Sequence, residues 1–321
     1  MSFGVETSDD LLEAVKRDLK IPASQPQAYT DQRILSIAYE KLVSRLVPML
    51  LSVNQGWFQT QSEYVMTAGT DTYLYPQYAM YQKISTATIV NAVTNEEVPL
   101  IPCEINERRY HGYGTQGFPN YCYSVDNSLT LVPAPDAGVS TAYRLRFVYF
   151  RMPGKLVPIS AAAKVQSVNY ATGQVTYTAT PPAGFTSTST HDFYSNIPPF
   201  KRLQNAITAT NLAANVQTFP VTSVQTLVAG NYVNIVDETI YPALPYGMFT
   251  NLKELTMHSL SCTQMDAATA AKIEQMIVES ARNVLMSAPG NRFVQRMRKI
   301  PMWDNALIDG TGQSRGRGVF P

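Results

Sequence analysis

The sequence is short of charge. Of its 321 residues, only 15% are Asp, Glu, Lys or Arg, well below the ~25% of an average soluble domain. The 25 basic and 24 acidic residues leave a net charge of +1, which argues against a strongly basic nucleic-acid binder and against an acidic disordered chain. Since 45% of the residues are apolar, the chain can bury a large core and still present a neutral, polar surface. Such a surface suits permanent contact with other subunits.

Cysteine is also scarce, and long apolar runs are missing. The three cysteines, Cys103, Cys122 and Cys262, form no CxxC pair, and their odd number argues against a disulfide framework or a zinc cluster. We therefore expect synthesis and assembly in a reducing cytoplasm. The opening sequence MSFGVETSDD has no basic segment followed by an apolar run, and no stretch approaches the ~18 apolar residues of a membrane span. Neither a secretory signal nor a membrane partner is expected.

Recognisable catalytic motifs are absent from the sequence. It contains no P-loop, HExxH sequence or hydrolase elbow, the motifs that would point to particular chemistries. Glu254, His258 and Cys262 recur at four-residue spacing and could share one helix face as metal ligands, but with one His and one thiol an ordinary packing helix is the better interpretation. His191 and Asp192 are assigned to a polar loop, as solvated or interface residues. We predict no enzyme activity, no cofactor and no metal.

Helical periodicity is confined to the two ends of the sequence. Residues 1–60 predict a short helix capped by Ser8 and a longer helix that Pro48 should kink. Residues 237–290 predict two further helices, the second beginning near Asp266. Each helix carries an apolar stripe that needs a partner, and the economical solution is that the two pairs pack on one another as a four-helix bundle.

Between the helical ends the apolar period changes to two, which is typical of strands. Residues 61–157 predict an antiparallel β-sheet domain, whose clearest unit is a hairpin over 121–131 with its turn at 126–128. Residues 158–236, rich in Ser and Thr, predict an inserted all-β module. The strands predicted in this module are 164–170, 174–179, 221–227 and 231–236. The expected fold class is α+β, with the β parts projecting from the bundle.

Residues 291–321 differ from the rest of the chain in charge. They hold six basic residues against two acidic ones and end in a Gly-rich sequence, so we expect an extended C-terminal arm. The run Arg315-Gly-Arg317-Gly could contact nucleic-acid phosphate. An Arg-rich segment that orders on a partner protein is equally physical, and the sequence leaves both interpretations open.

Tyrosine is abundant, with 19 copies. Tyrosines on strands and loops could stack on sugars or bases, or they could serve half-buried sheet faces and subunit interfaces, where one end of the ring is apolar and the other wet. Interfaces are favoured, because tyrosine enrichment there has a general physical cause. The clearest candidate is the loop 106–118, where Arg108, Arg109, Tyr110 and Tyr113 cluster.

Several short stretches form a recognisable order along the chain. They are the N-terminal helices ending near Gly56-Trp57, TYLYP at 72–76, GFPNY at 117–121, NSLTLVPAP at 127–135, YRLRFVY at 143–149, NYV at 231–233 and PALP at 242–245, followed by two helices. This order resembles the head-to-tail adaptor family of tailed bacteriophages, also called tail tubular protein A or head completion proteins. The likeness spans nearly the whole chain, and the inserted module resembles one found in only some members.

The resemblance implies a structural protein of the virion neck, between capsid and tail. It implies a twelve-subunit homo-oligomeric ring beneath the portal protein, with helical bundles around a channel through which double-stranded DNA passes without sequence-specific contact. The β regions would dock tail or nozzle proteins, and the arm would dock the portal. The arm residues expected to make that contact are basic or aromatic: Arg292, Arg296, Arg298, Lys299, Trp303, Arg315, Arg317 and Phe320. Arg108, Arg109, Tyr110 and Tyr113 would form a tail-side or intersubunit loop.

A second hypothesis belongs to another class of protein. A tail-associated carbohydrate-binding protein could hold host glycans with the tyrosine-rich loop and the β module. Glycan hydrolysis needs two carboxylates at a working distance. The module at 158–236 offers only Asp192, so this hypothesis predicts binding rather than hydrolysis.

Overall fold

The computed structural model of the chain describes residues 7–20, 29–53, 55–197, 202–245, 247–261 and 267–287. Within these ranges the fold is α+β, with antiparallel sheets and several helices, which confirms the predicted fold class. The helices are α1 (Ser8–Asp18), α2 (Asp31–Lys41), α3 (Val47–Val53), α4 (Ala137–Ala142), α5 (Phe249–Ser261) and α6 (Ala267–Ser287). The predicted arm, 291–321, lies outside the described residues.

The strands occupy the sequence between α3 and α5. In chain order they are β1 (Gln59–Val65), β2 (Thr72–Leu74), β3 (Ala79–Asn91), β4 (Glu97–Pro99), β5 (Ile101–Pro102), β6 (Gln116–Gly117), β7 (Tyr121–Val125), β8 (Ser128–Val132), β9 (Ala134–Pro135), β10 (Tyr143–Arg151), β11 (Lys155–Leu156), β12 (Ala163–Asn169), β13 (Gln174–Tyr177), β14 (Thr190–Tyr194), β15 (Arg202–Thr208), β16 (Asn211–Ala213), β17 (Val216–Thr218), β18 (Tyr232–Ile235) and β19 (Glu238–Thr239).

The cap of α1 corrects the prediction by one residue. Thr7, not Ser8, is the N-cap: its Oγ1 accepts the Asp10 N–H at 3.2 Å, and Asp10 Oδ2 accepts the Thr7 N–H at 2.8 Å. This reciprocal pair is a capping box, which satisfies backbone donors that the first helical turn leaves free. Ser8 instead lies inside the helix, buried, and its hydroxyl donates to the Val157 carbonyl at 2.5 Å. The Ser8 hydroxyl therefore ties α1 to the chain that leaves the first sheet.

The second N-terminal helix changes its winding just before Pro48, the residue at which a kink was predicted. A π-helical turn, Leu42–Leu46, separates α2 from α3 and comes directly before Pro48. Proline has no N–H to donate and its ring crowds the carbonyl four residues earlier. A wider π turn is one of the ways in which a helix accommodates such a disruption.

The helices of both chain ends share one apolar core. Leu11, Leu35, Leu50, Leu252 and Leu285, which come from α1, α2, α3, α5 and α6, belong to the same cluster of buried side chains. Their burial contributes to the hydrophobic stabilisation of this part of the molecule. This shared core joins the helices of both chain ends but does not by itself confirm the predicted four-helix bundle.

Ion pairs reinforce the contact between the two chain ends. Glu274 on α6 accepts hydrogen bonds from Lys41 at 3.0 Å and Arg45 at 2.8 Å, and Lys253 on α5 pairs with Asp18 of α1 at 2.8 Å. These pairs join residues more than 200 positions apart, so they add specificity to the apolar contact more than stability.

Two four-stranded sheets pack around a second core. One has the order β1-β10-β3-β4 and is antiparallel throughout, and the other has the order β2-β8-β7-β5. Leu145 and Phe147 of the first sheet share an apolar cluster with Tyr73 and Leu131 of the second. The predicted hairpin is present as β7 and β8, with a two-residue turn at 126–127 because Ser128 already pairs with Val125.

The predicted β module contains a seven-stranded sheet of order β15-β14-β18-β12-β13-β17-β16. The strands predicted at 164–170, 174–179 and 231–236 correspond to β12, β13 and β18, whereas the strand predicted at 221–227 is wrong. That stretch forms a turn and a 3-10 helix, Val224–Thr226. Val224 and Leu227 are both fully buried, and the three-residue turn of a 3-10 helix places residues at this spacing on one side.

Candidate interaction surfaces

The loop 106–118 is built around one turn of 3-10 helix, Arg108–His111. Gly112 ends the turn with a φ of 86°, and its backbone N–H donates to the Arg108 carbonyl. The Tyr113 N–H donates to the same carbonyl at 3.2 Å. The four loop residues predicted from the sequence therefore lie on or beside one compact turn.

Arg108 fastens this turn to the sheet. Its guanidinium carbon lies 4.3 Å from the Tyr113 ring centroid and 5.8 Å from that of Tyr123 on β7. Its Nη1 also donates to the Tyr123 hydroxyl at 3.2 Å. A guanidinium held over aromatic faces is stabilised by the ring quadrupoles. Arg108 is thus a positioning residue within the loop.

Other side chains of the loop face solvent. Tyr110 is 78% exposed, with the Arg109 guanidinium 5.6 Å from its ring centroid. Ile101 on β5 and Ile105 are also exposed. Ile101 neighbours this turn because it pairs with Tyr121, whose ring stacks on His111 with a centroid distance of 3.9 Å. We call Ile101, Ile105, Arg109 and Tyr110 the loop patch; aromatic and Arg side chains beside apolar ones are the composition of protein interfaces.

The arm residues predicted to dock the portal cannot be placed. Arg292, Arg296, Arg298, Lys299, Trp303, Arg315, Arg317 and Phe320 all lie outside the described residues. Their assignment therefore stays a prediction.

A buried ionic junction joins the first sheet to the module, and it was not predicted. Arg151, at the end of β10, donates from Nη2 to Asp192 at 2.8 Å and to Asp237 at 3.1 Å, and from Nη1 to Asn205 at 2.8 Å. Its side chain is 2% exposed and that of Asp192 is 0% exposed. Asp192 also accepts the backbone N–H of Ala206 at 2.8 Å. The assignment of Asp192 to a solvated loop was wrong: it lies in β14, where a buried carboxylate requires such partners.

A cavity of about 480 Å³ opens beside this junction. It lies between the chain segment that begins β1, the end of β10 and the first residues of β15. Trp57, Met152 and Leu203 contribute apolar walls, and Arg151 and Arg202 contribute cationic ones. Its volume is within the ~300–1,000 Å³ usual for ligand pockets.

His191 is the other residue that the sequence misplaced. It lies in β14 with no exposed surface. Its Nδ1–H donates to the Asn234 carbonyl at 3.2 Å, so Nε2 accepts the Gln217 amide N–H at 3.0 Å. Gln217 in turn accepts the Tyr177 hydroxyl at 2.6 Å. Burial lowers the pKa of His191 from 6.5 to about 4, so the ring is neutral and structural.

The helical trio considered as metal ligands does not form a described site. Glu254 and His258 lie on α5, and His258 is buried, while Cys262 falls outside the described residues. Among the residues that the structure describes, no group of three His, Cys, Asp or Glu side chains is arranged to hold a metal ion. Within the same residues, no helix has the length and apolar character needed to cross a bilayer.

Comparison with known families decides the identity of the chain. The model of the SU10 adaptor protein family, a head-tail adaptor family of phages, matches residues 7–177. The chain belongs to this family. The matched region is more than half of the chain and takes in α1, both four-stranded sheets and the loop 106–118, and it ends at the last residue of β13. A search of curated proteins finds no match.

Membership of the SU10 adaptor protein family confirms the family resemblance that the sequence stretches carried. It points to a structural component of a phage virion that interacts with portal and tail proteins. The match reaches only the first two strands of the seven-stranded sheet, so the rest of the module and the C-terminal helices lie beyond it.

Proposed function

We propose that this adaptor forms a homo-oligomeric ring of twelve copies beneath the portal, extends the DNA channel and docks tail or nozzle proteins. The family match over residues 7–177 is the observation that carries the proposal. Such a ring has no substrate. Its work is to hold a channel open to packaged DNA and to join two assemblies of different geometry, in the neck of a virion built in the host cytoplasm.

The helical part is proposed to surround the channel as a bundle formed by residues 1–60 and 237–290. The shared core of α1, α2, α3, α5 and α6 supports a single helical body. In this arrangement residues 61–157 and 158–236 are separate β units that project from it. The small net charge of +1 suits passage of DNA without tight or sequence-specific contact.

The loop patch is proposed as a tail-side or intersubunit contact. Its support is the exposure of Tyr110, which carries a large amphipathic ring on a turn that Arg108 holds in place. An exposed aromatic anchor on a rigid support is the kind of residue that dominates interface energetics.

The arm is proposed to dock the portal. Deleting residues 300–321 should abolish co-purification with portal rings while leaving the chain folded, with the same far-ultraviolet circular-dichroism spectrum. A matched control is Val93→Ser, an 86% exposed turn residue outside both the arm and the loop patch, which should keep portal binding. Retained portal binding by the truncated chain would contradict the assignment.

Negative-stain imaging tests the ring itself. The full chain mixed with its portal should give a closed ring at the narrow end of the portal. Particles that stay single in the presence of portal would contradict the proposal. A glycan array probed with the full chain tests the rival hypothesis, since specific glycan binding would favour a carbohydrate-binding tail protein.

A further inference from the structure

The cavity beside the ionic junction has donors that the folded chain does not satisfy. Arg151 Nε is buried and has no hydrogen-bond partner within the described part of the chain. Arg202 uses Nε and Nη2 for the Tyr194 hydroxyl, at 3.0 and 2.9 Å, and no hydrogen bond of its Nη1 is formed within the described residues. A buried donor without a partner carries a free-energy cost. Arg202, whose side chain is 20% exposed and lines the cavity, is the guanidinium that an acceptor there can reach.

The charged side chains that line the cavity indicate which kind of hydrogen-bond acceptor would bind there. Arg151 and Arg202 line the cavity, whereas neither Asp192 nor Asp237, their carboxylate partners, is among its described lining residues. A ligand therefore meets the cationic side of the junction first. Guanidinium groups recognise carboxylates through short, charge-assisted hydrogen bonds, so a carboxylate fits the polar wall.

The apolar lining of the cavity indicates which chemical group should lie next to that carboxylate in the ligand. Trp57, Met152 and Leu203 line the same cavity. The Trp57 ring is fixed because its Nε1–H donates to the Ala243 carbonyl at 2.7 Å. Aromatic and thioether surfaces of this kind favour a planar aromatic side chain. The geometry thus suits an aromatic residue adjacent to a carboxylate.

The chain itself carries such a pair in the segment that follows α6. Trp303 and Asp304 are adjacent, and Asp304 is one of the two acidic residues in the segment 291–321. Near its end, α6 contacts the chain that leads away from the cavity: a Cβ built on Gly247 would lie 3.1 Å from Val284 of α6, and Ala243, four residues before Gly247, lines the cavity. Between Ser287 and Trp303 the chain can span up to roughly 55 Å when extended.

We propose that, in the free adaptor, Trp303 and Asp304 occupy this cavity of their own chain, with the carboxylate bound by Arg202 and the indole against Trp57. The arm is then held against its own chain until another binding partner displaces it. This inference does not depend on the ring or on the portal assignment, because it concerns the single chain before assembly.

Fluorine NMR of the full chain labelled with 5-fluorotryptophan tests the proposal. The sequence has two tryptophans, one lining the cavity and one in the arm, and Trp303→Phe assigns the two resonances. In the unchanged chain the Trp303 resonance should be displaced from its random-coil position and insensitive to solvent isotope. Asp304→Asn should return it to that position and also shift the Trp57 resonance. Asp309→Asn, the matched control, should move neither.

Arg202→Gln supplies the reciprocal change in the cavity wall and should also release Trp303. If Arg202→Gln unfolds the protein, the Asp304→Asn result decides alone, because both of its expected shifts are measured on an intact fold. A random-coil Trp303 resonance in the unchanged chain would overturn the proposal. So would an Asp304→Asn shift of Trp303 that leaves Trp57 unmoved, since the arm would then bind elsewhere. A shift that depends on protein concentration would overturn binding within one chain.

Discussion

At the scale of single residues, the most demanding feature is the set of charges buried where the first sheet meets the module. Asp192 has no exposed surface, and Arg151 is its closest cation. Moving two charges out of water costs several kcal/mol per ion unless geometry and hydrogen bonding compensate. Here Arg151 also lies over the Tyr78 ring, with the guanidinium carbon 4.5 Å from its centroid. The junction therefore adds geometric specificity where three segments of chain meet.

Breaking this junction on one side should be costly. Arg151→Met leaves Asp192 buried without its closest cation, and such a change typically costs about 3–5 kcal/mol of unfolding free energy. Asp192→Asn added to Arg151→Met removes the stranded charge and should recover part of the loss. Urea denaturation of the two variants and the unchanged chain measures both effects. Equal stability of the single and double variants would contradict the expected cost of leaving Asp192 without Arg151.

His191 makes the stability of the protein depend on pH. The unfolded chain binds a proton at this ring below its ordinary pKa of 6.5, while the folded chain does so only below about 4. Between pH 6.5 and about 4 the unfolded chain therefore binds more protons at this ring than the folded chain does. The free energy of unfolding falls as the pH drops below 6.5 and levels off below about 4. The pKa difference corresponds to about 3 kcal/mol.

His191→Gln isolates that contribution from the carboxylates that titrate in the same range. Unfolding free energies measured by urea denaturation from pH 7 to pH 4 should fall more steeply for the unchanged chain than for the variant. Parallel curves would mean that His191 is protonated in the folded protein as readily as in the unfolded one.

At the scale of elements, one turn decides whether the hairpin of β12 and β13 can lie against the segment after β17. Gly173 has a φ of 71°, and a Cβ built on it would lie 2.1 Å from the Phe219 carbonyl oxygen. No side chain fits there without movement of the backbone. The Phe219 N–H also donates to the Gly173 carbonyl at 2.9 Å, so the approach is fixed from both sides.

Gly173→Ala should therefore destabilise the fold by more than the cost of placing an alanine in a left-handed backbone conformation, because the added methyl group also meets the Phe219 carbonyl. Gly114 is the matched control, since it has a φ of 84° but nothing within 4 Å of the position of a Cβ. Gly114→Ala should cost only the ~1–2 kcal/mol of a left-handed residue. Thermal unfolding of both variants compares the two effects, and equal losses would contradict the close approach at Phe219.

Some helices and strands could be predicted from the sequence pattern alone. The amphipathic helices and the hairpin of β7 and β8 were predicted because their apolar spacing follows the backbone period. Strand β14 was missed because Thr190-His191-Asp192 looks polar and solvated. Its neighbours β15 and β18 make it a buried central strand, and pairing with distant strands leaves no local signal.

At the scale of the whole molecule, the loop patch should affect assembly without affecting folding. Tyr110→Ser combined with Arg109→Ser removes exposed side chains, so the unfolding midpoint should change little. Ring formation or tail docking should weaken, because a rigid aromatic anchor is lost. Negative-stain particle counts and co-sedimentation with tail proteins measure this. Val93→Ser is the control, since Val93 is 86% exposed in a different turn, and equal loss in the control would argue against the patch.

Some properties of the whole molecule follow from local sequence patterns, and others do not. Composition and periodicity determined an α+β chain with helical ends, a β-rich middle and little charge, because burial of apolar faces follows directly from residue spacing. The short stretches along the chain were enough to predict the adaptor family, which the family match confirms. Only the tertiary structure decided that His191 and Asp192 are buried, that Arg151 joins the sheet to the module, and that a cationic cavity lies beside that junction. The physical reason is that a polar side chain is buried or solvated according to the partners that distant segments bring to it, and those partners are set by packing rather than by neighbours in the sequence.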